Sequence, residues 1–330
     1  MGLIVKDNKE MAIPVLLITF NRPEHTRRTI DALRVQQPPL VYVFQDGPRS
    51  GNDADAVNCL RVKEVIEKCI DWPCELQTSF SEVNHGCRDA IIYAITEVLK
   101  RHELVIVVED DIITSPAFYV YMCKALEYYK DRKTVFSISG HSHSPSRFVV
   151  PDDYAYDVFA SPRLFNWGWG TWRDRWEQAD WSFSYYEDFM SHLYEKQAFC
   201  RGGDDLLPML VNEKNGRSSA WDIQFAFTHF RNHAVSIVPC VSYTMNIGQD
   251  GSGTHCGSLN IPQQEALALN QNKDPLLLDN LYFDSRIINS MYSVFTKKKR
   301  PKWQKVINFM ARKIGLKPPY VIKKKVFCDD

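Results

Sequence analysis

Leu104-Val105-Ile106-Val107-Val108-Glu109-Asp110-Asp111 is the stretch on which the reading of this chain turns. Five consecutive aliphatic residues without polar alternation are the pattern of a strand buried on both faces, as in a sheet covered by helices on each side. Three carboxylates follow with no spacer. Acids at the end of such a strand put concentrated negative charge where open α/β sheets bind their ligands. They repel one another and raise one another's pKa values unless a cation sits among them. A solvated acidic turn and a metal site are both open readings at this point. Ser115-Pro116 then reads as an N-cap and first helical residue, opening a helix over about 117–130.

Working outward, Ile13 to Phe20 is a first buried strand closed by Asn21-Arg22-Pro23, with a helix following from about 24 to 34. Leu40 to Phe44 is a second strand, turning at Gln45-Asp46-Gly47-Pro48. A long helix near 53–70 and a short strand at 74–79 come next. Asn84-His85-Gly86-Cys87-Arg88 then leads into a helix over 89–100, whose apolar face is Ile91, Ile92, Ile95, Val98 and Leu99. Strands and helices alternating at this spacing predict a mainly parallel, doubly wound sheet. Three strand ends then converge on one edge, carrying Arg22, Asp46 and the acid triplet.

The second half is less regular. A strand over 134–139 ends at Gly140-His141-Ser142-His143; the two histidines could be metal ligands, but with no third ligand nearby in sequence the expectation is a polar loop. In Phe165-Asn166-Trp167-Gly168-Trp169-Gly170-Thr171-Trp172, Trp172 pairs with Trp176 as one buried helix face. Trp167 and Trp169, flanked by glycines, are candidates for contacting the flat apolar face of a sugar ring. Asp222 opens an apolar helix over 223–230, as a cap or as a catalytic carboxylate; the two are compatible. A strand over 235–241 leads to a glycine-rich loop, Asn246 to Thr254, ending in His255. Gly251 and Gly253 allow backbone amides to approach an anion, and His255 is a good ligand for a transition metal. The loop matches neither a Walker nor a dinucleotide pattern.

At 330 residues the chain can hold a sizeable core. Formal net charge is zero, which argues against a general nucleic-acid binder, but the charge is unevenly spread. From Lys297 to Asp330 there are 12 Lys and Arg against 2 acids; the rest of the chain has 28 bases against 38 acids. Nine scattered cysteines with no CxxC pair suggest neither a zinc ribbon nor a disulfide framework, and their odd number points to a reducing compartment. Met1 to Glu10 lacks a signal-peptide core, and no apolar run of about 18 residues could span a bilayer.

The order of these features resembles the N-acetylglucosaminyltransferase I family of GT-A glycosyltransferases. Ile18-Thr19-Phe20-Asn21-Arg22, Gln45-Asp46-Gly47 and Val107-Val108-Glu109-Asp110-Asp111 carry the first part of the likeness, the last as the family's EDD form of a metal-binding DXD motif. Asn166-Trp167-Gly168-Trp169, Trp221-Asp222 and Asn246-Ile247-Gly248 through His255 carry the rest, over roughly 13–256. The opening also looks like that of family 2 glycosyltransferases. The family's second acid after the tryptophan is Ile223 here, leaving Asp222 as the candidate base. The resemblance implies a GT-A fold in 1–256, with a nucleotide-binding half over about 12–140, an acceptor half over 141–256, and a helical basic extension over 257–330. It implies a UDP-sugar donor and Mn²⁺ or Mg²⁺ on Asp111, joined by His255. Glu109 and Asp110 would support donor sugar and ribose, and Asp46 the uracil, with Arg22, His85 and Arg88 nearby. Asp222 would act as general base. A glycan or lipid-linked glycan is the implied acceptor, in a bacterial cytoplasmic relative that builds surface polysaccharide.

In the basic extension, Trp303, Val306, Ile307, Met310 and Ile314 share one helical face with Lys and Arg off it, so 297–325 could lie in an anionic membrane interface or pack on the body. Two other classes remain as alternatives. A sugar nucleotidyltransferase would share sheet and acids but should carry a glycine-rich basic first loop. A non-enzymatic carbohydrate-binding protein would account for the tryptophans but not for the acids.

Overall fold

The computed structural model describes residues 12–248, 250 and 268–296, together with 307, 309–311 and 313. Ten strands are described: β1 (Val15–Thr19), β2 (Leu40–Gln45), β3 (Glu75–Phe80), β4 (Leu104–Glu109), β5 (Ile112–Thr114), β6 (Val135–Ser139), β7 (Val158–Ser161), β8 (Trp169–Trp172), β9 (Val235–Pro239) and β10 (Thr244–Asn246). The helices are α1 (Pro23–Arg34), α2 (Asp53–Cys69), α3 (Cys87–Leu99), α4 (Phe118–Tyr129), α5 (Arg173–Trp176), α6 (Tyr186–Ser191), α7 (Leu193–Phe199), α8 (Leu206–Lys214), α9 (Trp221–Arg231) and α10 (Ser285–Phe295).

Eight strands form one sheet in the order β3-β2-β1-β4-β8-β6-β9-β7. The first four are parallel, and so are β6 and β9. Only β8 and β7 run the other way. This is the mainly parallel, Rossmann-like α/β sheet that the sequence predicts.

The unbroken aliphatic run of β4 follows from its place in the middle of the sheet. Val105 and Val107 point to one face and pack with Ile91, Ile95, Val98 and Leu99 of α3. Ile106 and Val108 point to the other and pack with Phe118, Tyr121, Met122 and Ala125 of α4. A strand with helices on both faces has no side on which polar residues could alternate.

Three local expectations are corrected, and one segment without a reading is resolved. The helix after the acids begins at Phe118 with Ala117 at the cap position; the Ser115 hydroxyl reaches only the Ala117 amide, at 3.3 Å. The segment between acids and helix is β5, paired antiparallel with β10 so that Ile112 faces Asn246. Trp172 and Trp176 are both buried but do not share a helix face. Trp172 ends β8 and packs on one side of the sheet, while Trp176 lies in α5 and packs on the other. Finally, α9 starts one residue before Asp222, with Ala220 at the cap, so Asp222 is a first-turn acid rather than the N-cap.

Candidate functional site

The carboxyl ends of β1 and β4 lie side by side, with Ile18 opposite Glu109. The chain leaves β1 toward β2 on one side and β4 lies on the other, so this is the point where an open α/β sheet parts to form a crevice. Arg22, just past β1, reaches across it. Its guanidinium pairs with Asp110 and lies 3.0 Å from Asp111 Oδ2. The acid turn is held from behind, because Thr29 donates to the Asp110 carbonyl at 2.8 Å and the Phe20 amide points at Asp110 Oδ2 at 3.4 Å.

The β5–β10 ribbon brings a third wall. The Ile247 amide donates to the Asp111 carbonyl at 2.8 Å, and Gly248 donates to Asn246 Oδ1 at 2.7 Å. A Cβ at Gly248 would sit 2.1 Å from Asp111 Oδ2 and 2.9 Å from Arg22 Nη1. Glycine is required there by close approach: bare backbone lies directly over the carboxylate. Asp250 reaches His25 on α1 at 3.2 Å.

Three carboxylates facing one guanidinium leave negative charge uncompensated. Burial, then Asp111 and Asp110, push Glu109 up to about 8, against the opposing pull of Arg22. Burial also raises Asp111, with Arg22 opposing and Asp110 adding to the effect. Arg22 itself is disfavoured by burial, but Asp110 and Asp111 outweigh this and hold its pKa above the usual value.

Asp222 belongs to the same neighbourhood. Its charge acts on Glu109, and together with Glu109 and Asp111 it helps raise the thiol of Cys87, whose main cause is burial. Its Oδ1 accepts from the Ile223 amide at 2.8 Å. The first turn of α9 is pinned by Glu213, which accepts from the Ala220 amide at 2.7 Å and from Ser218 at 2.8 Å. Asp222 also lines a small recess with His141, His143, Asn166 and Trp167.

Several expected ligands have other duties. Trp169, expected to face a sugar, is fully buried in β8 and packs on Trp221, Trp176 and Phe225. Trp167, half-buried beside the recess, remains available. Arg88, expected near the nucleotide, donates to Gln224 at 2.7 Å and to the Trp181 carbonyl at 3.2 Å, pairs with Asp89, and lies 3.3 Å from Glu213. It therefore clamps α3 to the helix carrying Asp222.

Asp46, expected on the uracil, is buried, and its carboxylate accepts from Gly47, Asn84, His85 and Gly86 at 2.9–3.1 Å. Four donors fill the lone pairs of a carboxylate, so Asp46 holds the 84–86 turn and offers no free acceptor. Burial raises its pKa, and the backbone donors oppose this. His85 is exposed on that turn, bonded to Ser81 at 3.0 Å and stacked on Tyr93. Gly251, Gly253 and His255 lie outside the described residues. The segment 141–143 is an irregular polar loop, as expected, but a buried one, with His141 7% exposed. Gly248, Glu213, Gln224 and His141 were not singled out from the sequence as site residues. Gly248 was quoted only as part of the Asn246-Ile247-Gly248 motif, two residues past β10.

Among the described residues no three His, Cys, Asp or Glu side chains are grouped so as to hold a metal by themselves. What the corner does offer is hard carboxylate oxygens with surplus negative charge. That donor set fits Mg²⁺ or Mn²⁺ held by one or two carboxylates together with phosphate oxygens and water, not a protein cage.

The fold is a mainly parallel, Rossmann-like α/β sheet with a carboxylate corner at its switch point. In sequence the chain resembles alpha-1,3-mannosyl-glycoprotein 2-beta-N-acetylglucosaminyltransferase from Arabidopsis thaliana, with 22% identity over 193 residues, covering 53% of this chain and 41% of that one. The chain thus matches less than half the length of this curated relative. No family model matches it. Solved structures that overlap it include a mannosyltransferase from Pyrobaculum calidifontis in complex with GDP-Man and Mn²⁺ (17% identity, 51% of this chain and 46% of that one, TM-score 0.34). Another is UDP-glucose pyrophosphorylase complexed with UDP-glucose (10% identity, 69% and 90%, TM-score 0.36).

Proposed function

We propose that the protein is a metal-dependent, inverting glycosyltransferase that moves a hexose such as GlcNAc from a UDP-sugar to a hydroxyl of a glycan acceptor. The observation that carries this reading is the carboxylate corner at the ends of β1 and β4, with Arg22 across it and with α9, which opens at Trp221-Asp222, tied to the neighbouring α3 through Arg88 and Gln224. Arg22, Asp110 and Asp111 line the donor side. Bound to Asp111 and the donor diphosphate, Mn²⁺ or Mg²⁺ would neutralise charge on the leaving group. Asp222 takes the proton from the acceptor hydroxyl as that oxygen attacks the anomeric carbon from the face opposite the diphosphate. The N-terminal turn of α9 favours the ionised carboxylate needed for this. Trp167 offers an aromatic face beside Asp222.

The place of action proposed is the inner face of the cytoplasmic membrane, on lipid-linked glycans of a bacterial surface polysaccharide, with 297–325 in contact with anionic lipid. No helix among the described residues is long and apolar enough to cross a membrane. Of the tail residues described, Ile307, Phe309 and Met310 are exposed.

Asp222→Asn tests the catalytic reading. Asn keeps the shape and the first-turn position but cannot take the proton. Turnover should fall by roughly 10²–10⁴ while UDP binding and melting temperature stay near wild type. Wild-type turnover in Asp222→Asn would return the residue to a structural role.

A further inference from the structure

Beside Asp222 lies a recess of about 20 Å³, walled by His141, His143, Arg163, Leu164, Phe165, Asn166 and Trp167. That is the room of a single water or hydroxyl group. Three buried polar atoms of its rim segment, His141 Nε2, His143 Nε2 and Ser142 Oγ, find no hydrogen-bond partner among the described residues. Buried polar atoms are nearly always paired, so a cluster of three next to a catalytic carboxylate requires a reason.

The tautomer of His141 follows from its anchor. The single hydroxyl proton of Ser242 goes to the Thr244 carbonyl at 2.7 Å. His141 Nδ1 lies 3.3 Å from Ser242 Oγ, which also accepts from the Ser142 and Thr244 amides, and the ring bonds the Thr244 backbone carbonyl, an arrangement met by placing the ring proton on Nδ1. Its Nε2 then carries a lone pair that has no partner among the described residues. The ring is held at 4.4 Å from Trp167 and at 5.4 Å, edge to face, from His143. Burial pushes His141 down to about 3 and His143 down to about 2, so both imidazoles are neutral across the physiological range. Arg163, the cation among the described residues that line the recess, is paired in bidentate fashion with Asp205 at 2.9 Å and covers the Phe295 ring; Arg147, outside the lining, also acts on both histidines. Arg163 has no charge to offer a ligand.

We propose that His141 and His143 form an acceptor subsite in which the recess receives one hydroxyl of an uncharged acceptor sugar whose ring lies against Trp167. His141 Nε2 accepts from that hydroxyl, and His143 lines the other side. Among the described residues that line the recess are the Asp222 carboxylate and one cation, Arg163, already paired with Asp205, so a carboxylated or phosphorylated sugar at this position is disfavoured. The histidines are positioning residues, too weakly basic to replace Asp222. This inference rests on the glycosyltransferase reading and adds the chemistry of the acceptor to it.

The experiment compares His141→Asn, His141→Gln and His143→Ala with wild type. Asn keeps a group at the position of Nδ1 and its bond to Ser242 but removes Nε2, whereas Gln returns a polar amide near Nε2. His141→Asn and His143→Ala should each raise the acceptor KM by about tenfold, the effect of one lost hydrogen bond. Acceptor-independent UDP-sugar hydrolysis and UDP binding should stay at wild-type levels, and His141→Gln should recover part of the loss. An unchanged acceptor KM in folded variants that still transfer sugar would overturn the subsite and leave the glycosyltransferase reading standing. Should the variants fail to fold, wild type alone decides: a uronic acid acceptor used as well as its neutral hexose counterpart would overturn the proposal. No UDP release by wild type from any UDP-sugar would overturn both readings together.

Discussion

Replacing Gly248 by Ala tests the claim that bare backbone lies over the acid corner. The added methyl would stand 2.1 Å from Asp111 Oδ2 and 2.9 Å from Arg22 Nη1. Carbon and oxygen do not approach below about 3 Å without something moving, so either the carboxylate or the loop must shift by about 1 Å. The carboxylate is tied to Arg22, which is also paired with Asp110. The loop is tied through Ile247 to the Asp111 carbonyl and through Gly248 to Asn246. Overpacking of this kind costs about 1–3 kcal/mol of stability. Its functional effect is larger, because a 1 Å misplacement of a catalytic group costs roughly 10² in rate. Gly248→Ala should therefore fold, melt a few degrees below wild type, and lose about two orders of magnitude in kcat/KM, with weaker metal-dependent UDP binding. Wild-type kcat/KM with an unchanged melting temperature would refute the close approach and the role of the ribbon.

Asp111→Ala, or EDTA on the wild type, should abolish transfer and metal-dependent UDP binding without unfolding the protein; full activity in EDTA would contradict this. Deleting 297–330 should leave transfer to a soluble acceptor intact and weaken binding to anionic vesicles, since each surface cation contributes on the order of 1 kcal/mol there; unfolding of the truncated protein would instead make the segment part of the body. His229 is buried, bonded to the Phe225 carbonyl and to Ser137, and burial lowers its pKa to about 4. Its folded value lies below the ordinary 6.5, so the unfolded chain binds the extra proton, and this contribution to stability is complete above pH 6.5 and lost as pH falls toward 4. Between pH 7 and 5, wild type should lose about 2 kcal/mol more stability than His229→Gln, measured by denaturant unfolding; equal losses would refute it.

The nucleotide half was legible because its strands carry unambiguous signals. β1 and β4 are aliphatic runs that only a doubly covered strand tolerates, and the helices between them have clear apolar faces. β8 was not legible. Four residues, Trp-Gly-Thr-Trp, show no run and no period, and the glycines suggest a loop. Gly170 is small for another reason: a Cβ there would meet the Val105 carbonyl at 2.8 Å, so the glycine lets β8 pack against β4. Once β8 is a strand, Trp169 and Trp172, three apart, must face opposite sides of the sheet. Both readings of those tryptophans failed for that single reason.

At the site, the residue types of the acid corner were readable, but their partners were not. Asp46 looked like a ligand because it ends a strand at the right edge, yet four local donors saturate it. Arg88 was expected near the nucleotide, yet Gln224 and Glu213, more than 120 residues further on, engage it. Such pairings are long-range and leave no periodic trace. His141 and His143 were set aside as a polar loop because burial cannot be inferred from a short motif between glycine and serines.

The most direct test of the central claim is time-resolved proton NMR of the purified protein with a UDP-hexose, a glycan acceptor and Mn²⁺. The account predicts release of UDP in step with appearance of a new glycosidic anomeric signal, inverted relative to the donor and absent with EDTA or Asp222→Asn. Retention of the donor's anomeric configuration in the product, or exchange of pyrophosphate into the sugar nucleotide in place of UDP release, would contradict it.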